Sequence, residues 1–437
     1  MDPARLRRLY VEHVAELERG YARALAEHGY DSVVIHSGAP KTRTRFDDQY
    51  WPLRPTPEFQ HWTPLVAADC ALLIRIGQRP KLVWPTAVGF WEAPAKADSD
   101  HWQASFDLVE VEEVGDVRAH LHPAGRAAFL GEDEARASAW GFNDANPPAL
   151  ARALDRLRVV KTEYEVACLD EANRRAAAGH ERVAAAFRDG DRSELDLHLL
   201  YLQATEQDDP ETPYKNIVAL GAHASTLHHV SYARRAEPRA SLLLDAGATV
   251  HGYCSDITRT HVKGAGAAES AFAGIVAGVE KMQQRLVAAA TVGRKYESLH
   301  EESHAEVGRI LVDAGVARMS AEEAVTSGVT RAFYPHGLGH SLGLQCHDVG
   351  CAELKPKSDN PFLRNTTTIA PGQVFTVEPG IYFIDLLLAP LRHGPHAARV
   401  DWKLVDALAP LGGVRIEDDV RILDGKPPQN LTRQYLP

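Results

Sequence analysis

Apolar positions along the first twenty-seven residues fall at helical spacing: Leu6, Leu9, Tyr10, Val14, Leu17, Tyr21 and Leu25 line one face of a helix predicted from Pro3 to Glu27. Gly29 ends it, and DSVVIHSG then reads as a buried strand. CALLIRIG, KLVWPT, DLVEVEEV and AAFLG are further strand candidates, and a helix carrying Leu150, Leu154 and Leu157 follows. This alternation predicts an α/β unit over about residues 1–157. From Lys161 to Phe187 the pattern turns into a long Ala/Glu/Arg-rich helix, with Thr162 as its N-cap and Glu165 as the capping-box partner. Another helix is predicted over Ser193–Glu206. Strands in NIVALG, SLLLDAG and DITRTHV, helices over Glu269–Ala290 and Glu297–Ala314, and strands around FTVEPGIYFI and VRIEDDV complete an α+β domain over residues 158–437. The Pro-, His- and Leu-rich segment Asp385–Leu411 reads as an insertion or extended loop at a subunit contact.

Composition narrows the class. The chain has 437 residues, more than one hydrophobic core usually organises, which supports two domains. Its formal charge of −11, with no Lys/Arg block, argues against nucleic acid as a partner. Five scattered cysteines argue against a disulfide framework and for a reducing, cytoplasmic setting. No stretch reads as a signal peptide or a membrane span.

The chemistry concentrates in acidic residues at the ends of apolar runs. In SLLLDAGATVHGYCSDITRTHV, Asp245 and Asp256 are eleven residues apart, and a reversal between Val250 and His251 would set them on facing strands. Bare carboxylates at that distance repel unless one is protonated or a cation lies between them. Glu378 in QVFTVEPGIY and Glu417 in GGVRIEDDV repeat the strand-end placement. Taken singly, each of these four is as readily a solvated carboxylate. Between them lies PHGLGHSLGLQCHD, with His336, His340 and His347. The glycines make a helical zinc pair poor, so an irregular glycine-rich strand is expected. One histidine with four carboxylates is a hard donor set, suited to manganese or cobalt rather than to a thiolate-type zinc site, and bridging carboxylates favour two ions. Gly339-His340-Ser341-Leu342-Gly343 also matches G-x-S-x-G, the serine-hydrolase elbow, but lacks the strand before and the helix after that the elbow requires.

RVVKTEYE, NIVALGAHASTLHH, LLLDAGATVHGYCSDITRT, PHGLGHSLGLQCHDVG, TVEPGIYFIDLLLAP and GGVRIEDDV stand in an order and spacing that resemble bacterial Xaa-Pro dipeptidases (prolidases). These are pita-bread metallopeptidases related to methionine aminopeptidase and creatinase. The resemblance implies a pita-bread catalytic domain behind a smaller creatinase-like α/β domain, and hydrolysis of Xaa-Pro dipeptides by two divalent ions, Mn2+ first and Co2+ or Zn2+ otherwise. It implies Asp245, Asp256, His340, Glu378 and Glu417 as metal ligands, with His340 chosen over His336 because His347 stands seven residues on. Glu378 would double as general base, His347 would stabilise the tetrahedral intermediate, and His228 would contact substrate. Arg364 would bind the substrate's C-terminal carboxylate, while His336, Arg415 and Tyr214 would support the ligands. A homodimer is implied, with the aromatic segment Gln49–Trp62 as a candidate lid. His229 departs from the tyrosine common at its position, and Cys346 and Cys351 flank an unusual loop. The alternatives are an aminopeptidase acting on longer Xaa-Pro peptides and, more weakly, a serine hydrolase built on Ser341. Organophosphate ester hydrolysis is a side activity compatible with such a site.

Overall fold

The computed structural model describes residues 1–86 and 100–437. It divides into two compact units, Met1–Cys168 and Leu169–Pro437, with the division falling inside the helix Glu163–Asp189.

The first unit opens with the helix Pro3–Glu27, whose seven predicted apolar positions are all buried. Asp2 caps it by accepting from Arg5 N at 3.0 Å, and Gly29 follows it with φ +72°. Six strands form one mixed sheet: β1 (Ser32–His36), β2 (Ala71–Arg75), β3 (Lys81–Pro85), β4 (Asp107–Val111), β5 (Ala127–Leu130) and β6 (Asp144–Ala145), in the order β4-β3-β2-β1-β5-β6. β1 runs antiparallel to β2 and parallel to β5, so it is covered on both edges, and all five of its residues are buried. In the aromatic segment, Phe59 and Trp62 are buried, while Tyr50 and Trp51 are exposed and held by a backbone bridge to Thr42 and by Arg43 over the Trp51 ring. The Thr162 cap forms as expected, with Thr162 N donating to Glu165 Oε2 at 2.7 Å and Glu165 N to Thr162 Oγ1 at 3.4 Å.

In the second unit, β7 (Ile217–Leu220), β8 (Ser241–Asp245) and β11 (Thr258–Val262) form an antiparallel sheet in the order β11-β8-β7. β8 and β11 are the arms of one long hairpin whose tip is β9 (Thr249–Val250) and β10 (Tyr253–Cys254). The turn is His251-Gly252, with φ of +51° and +89°, the paired positive values of a two-residue hairpin turn that follows the strand twist. β12 (Val374–Val377) pairs with β15 (Asp418–Arg421), which also pairs with β16 (Gln429–Asn430), and β13 (Gly380–Tyr382) pairs with β14 (Gly413–Arg415).

Long helices cover these strands. Phe272, Ile275, Val279, Met282 and Leu286 point from the helix Ala267–Ala289 into the main core at three- and four-residue spacing. Truncating any one of them would cost about 2–5 kcal/mol. Two buried polar groups tie the helices to β12: Gln283 Nε2 donates to Val377 O at 3.2 Å, and Tyr296 Oη donates to Thr376 O at 2.7 Å. The segment Asp385–Leu411 is not an extended loop. It forms the helices Asp385–Arg392 and Trp402–Leu408, and Leu388, Val405 and Leu408 pack into the core. Its prolines and its two histidines disguise an apolar spacing that the core satisfies in short helical turns.

Candidate metal centre

Sheet register brings the acidic residues together. Asp245, at the end of β8, pairs with Thr258 on β11, and Thr258 bridges to Glu417 on its other side, so the three side chains form one row across adjacent strands. Asp256 precedes Thr258 by two residues, which keeps it on the same face. The turn lies one residue later than the midpoint of the two aspartates. They therefore sit diagonally rather than face to face, and the even slip leaves both carboxylates on one side. Gly247 makes room at this step, since a Cβ there would collide with the Ser255 backbone.

The stretch around His340 runs antiparallel along β12: Glu378 N donates to Leu338 O at 2.8 Å, Thr376 N to His340 O at 2.9 Å and Leu342 N to Val374 O at 3.1 Å. It is irregular rather than a regular strand, with a single bridge from Ser341 to Phe375. Gly339 allows this approach; a Cβ there would collide with Thr376 O and the Tyr296 hydroxyl. His340 Nε2 thereby comes to 3.4 Å from Asp256 Oδ2 and 3.6 Å from Glu378 Oε1.

Neighbouring side chains hold these groups in place. Tyr214 Oη donates to Asp256 Oδ1 at 2.5 Å, and the Cys346 thiol donates to Asp256 Oδ2 at 2.9 Å. Thr258 Oγ1 donates to Glu417 Oε2 at 2.7 Å. Arg415 reaches Asp245 Oδ2 at 2.5 Å and the Tyr382 hydroxyl at 2.9 Å, while His336 Nε2 lies 2.8 Å from the same hydroxyl. Behind the cluster, Asp256 N donates to Asp419 Oδ2, which also accepts from Asn173.

Thr258, Tyr382 and Asp419 are functional-site neighbours that the sequence reading missed. Thr258 and Asp419 each stand two residues beyond a ligand candidate, on the same strand face. That signal was present but unused. Tyr382 carries no comparable mark.

The electrostatics are those of a crowded acidic site. Burial, with a smaller contribution from Asp256, raises Asp245 from its ordinary value despite Arg415. Burial lifts Glu378 to about 7, and burial with the neighbouring carboxylates drives Glu417 well up. Burial opposes the charge on Asp256, but hydrogen bonds from His340, Cys346 and Tyr214 hold it low. His340 loses by burial, yet Asp256 and Glu378 bring it up to about 9. Asp245 Oδ1 is buried without a hydrogen-bond partner. Donor atoms of Asp256, His340 and Glu417 lie within 4.8 Å of one another. An orphaned carboxylate oxygen, convergent oxygen and imidazole donors and mutual repulsion all fit divalent cations.

Beside these donors, the His347 ring lies edge-on to His340, with centroids 4.4 Å apart. Burial, His340, Arg364 and, more weakly, His228 act together to lower His347 to about 4, so the two predicted substrate contacts both lie near it. Ser341 does not form a nucleophile elbow. It is buried, its Oγ has no partner, and His340 contacts only its backbone carbonyl.

Residues 167–424 match the model of metallopeptidase family M24, and residues 8–156 match that of the Xaa-Pro dipeptidase N-terminal domain. The chain belongs to metallopeptidase family M24. Among its relatives, the Xaa-Pro dipeptidase of Marinobacter nauticus is 42% identical over 425 residues, 97% of each chain. That of Stenotrophomonas maltophilia is 38% identical, covering 97% of this chain and 96% of the relative. Similar solved structures include the Pseudomonas aeruginosa aminopeptidase PepP (TM-score 0.75, 23% identity, covering 97% of this chain and 95% of that one). Aminopeptidase P of E. coli with the inhibitor Pro-Leu aligns with TM-score 0.72 and 20% identity, covering 100% of this chain and 96% of that one. These two share the two-domain M24 fold. Family membership identifies the protein as a metallopeptidase that uses divalent metal ions, and no described helix is long and apolar enough to cross a membrane.

Proposed function

We propose that this M24 enzyme is an Xaa-Pro dipeptidase whose two divalent ions are held by Asp245, Asp256, His340, Glu378 and Glu417. The observation that carries the reading is full-length likeness at 42% identity to an Xaa-Pro dipeptidase, joined to the buried cluster of Asp256, His340 and Glu417 with Asp245 and Glu378 beside it. Mn2+ is the first choice of ion, with Co2+ and Zn2+ as alternatives; a hard, oxygen-rich donor set supports this. When bound, the ions supply an activated water and a Lewis acid for the scissile amide carbonyl.

The protein groups divide the remaining tasks. Glu378, largely shielded from water, takes the proton of the attacking water and passes it to the departing proline nitrogen. His347, held neutral by its surroundings, donates one hydrogen bond to the carbonyl oxygen as negative charge develops there. The Arg364 guanidinium offers two parallel donors to a free carboxylate directly after proline, which sets the length limit of the substrate. His228, whose charge is felt at His347, contacts the substrate as well. Tyr214 and Arg415 hold the Asp256 and Asp245 carboxylates, and His336 steadies Tyr382, which Arg415 also grips.

A homodimer in the cytoplasm and a domain division at 157/158 belong to the same reading. The division draws support from the two family matches, which end at 156 and begin at 167. Chromatography with light scattering tests the dimer, and limited proteolysis tests the division.

The deciding experiment combines chelation, Mn2+ readdition and a panel of Xaa-Pro, Xaa-Pro-Xaa and ester substrates. Loss on chelation, recovery with Mn2+ and preference for the dipeptide are expected. Full activity without metal would sink the proposal, and tripeptides cleaved as fast as dipeptides would make it an aminopeptidase.

A further inference from the structure

A second group of metal-type donors lies in the same unit, built on other residues. Glu194 stands in the first turn of the helix Glu194–Thr205, and its side chain is wholly buried, at 0% exposure. Among the described residues no lysine or arginine pairs with it; its charged-type partners are two histidines. Oε1 accepts from Leu220 N at 2.9 Å and lies 2.6 Å from His223 Nδ1. Oε2 accepts from Ala233 N at 2.7 Å and lies 3.0 Å from His229 Nε2. Burial opposes its charge, yet the amides of Ala233 and Leu220, together with the two rings, hold Glu194 below the usual carboxylate range. The two rings stack with centroids 4.6 Å apart at 29°, turning one nitrogen each toward the same carboxylate. One nitrogen from each ring and a carboxylate oxygen of Glu194 lie within 4.8 Å of one another.

We propose that Glu194, His223 and His229 form a further metal site, which takes a borderline divalent ion of the Zn2+, Co2+, Ni2+ or Cu2+ class. Two imidazoles and one carboxylate match those ions better than Mg2+ or Ca2+, which prefer all-oxygen shells. An anionic carboxylate shut away from water and unpaired with any lysine or arginine gains from a cation placed against it. Each ring would bind the ion through the nitrogen it now turns toward Glu194, and the proton that nitrogen carries would move to the ring's other nitrogen or to water. The Leu220 and Ala233 amides keep their hydrogen bonds to Glu194 and so orient the carboxylate from behind. The His223 side chain is 45% exposed, which leaves a way in for the ion and room for a water in its shell. The ion would also brace a loop, because Leu220 and Ala233 bracket the segment that carries His228.

The test counts metal. Full-length enzyme without an affinity tag is stripped by chelation, equilibrated with Zn2+, desalted and analysed for zinc per chain by mass spectrometry. His223→Gln and Glu194→Gln are each expected to hold one equivalent less than the wild type. The difference does not depend on how many ions the M24 centre binds, so failure of that reading and failure of this one are distinguishable. His223 is half-exposed, so its variant is expected to keep the wild-type circular dichroism and melting temperature even if the Glu194 variant does not. Equal zinc in folded His223→Gln and wild type would overturn the site and leave a hydrogen-bonded cluster.

Discussion

Arg415 and Asp245, 170 residues apart in sequence, meet at 2.5 Å in a buried, charge-assisted hydrogen bond. The same guanidinium donates to Tyr382 Oη and Thr258 Oγ1, at 2.9 and 3.2 Å, so one side chain ties three strands together at the acidic cluster. Removing it would leave Asp245 with a second unsatisfied oxygen beside the one already orphaned. Arg415→Met is expected to lower metal affinity and kcat/KM by about 10–100-fold. Metal titration and steady-state kinetics check this, and unchanged metal affinity would remove Arg415 from the support of the centre.

Arg364 is exposed and lies near His347 rather than among the acidic donors. Arg364→Ala is therefore expected to raise KM or lower kcat/KM for Xaa-Pro dipeptides by roughly 100-fold, the scale of a lost charged hydrogen bond. Metal content should stay at the wild-type level. Equal loss of bound metal would contradict its assignment to the substrate carboxylate.

Ser341 is buried, with no partner for its hydroxyl. Ser341→Ala is expected to leave turnover within about twofold of wild type and to keep full sensitivity to chelators. A collapse of activity with an unchanged metal content would revive the serine reading.

Gly339 has no room for a side chain, because Thr376 O and the Tyr296 hydroxyl occupy the space. Gly339→Ala must separate the His340 stretch from β12, at a cost of about 1–3 kcal/mol. It should lower both the denaturation midpoint and metal affinity. A variant as stable as the wild type would show that the two stretches can part freely.

Stability should fall in mild acid. Burial and Arg331 hold His300 down to about 4, and burial with His300 and Arg331 holds His304 down to about 3. Both lie below the ordinary value of about 6.5, so the unfolded chain takes up protons that the folded chain refuses. Stability is full above about pH 6.5 and declines as pH falls toward 4, on the order of 2 kcal/mol or more for the pair. Denaturant titrations across that range check the slope, which His304→Gln should reduce. A flat profile between pH 7 and 4 would show that these histidines are not held neutral.

Local patterns determined most of the elements. The helix Pro3–Glu27, the Thr162–Glu165 cap and the strands bearing Asp245 and Glu378 follow from side-chain period and capping chemistry, which act over a few neighbouring residues. The reversal read near Gly252 carried enough to set Asp245 and Asp256 on the two arms of one hairpin, although their pairing was two residues out. A hairpin's register depends on which residues accept positive φ, and His251 was not legible as one of them. The family motifs named the ligand candidates, but the grouping of Asp256, His340 and Glu417 comes from three distant chain segments brought side by side, which no local pattern encodes. The helices within Asp385–Leu411 depend in the same way on a core into which Leu388 and Leu408 can pack. The Glu194 cluster is the clearest case. Its histidines lie about thirty residues from the glutamate, in a loop without periodicity, and only the folded chain turns both rings onto one buried carboxylate.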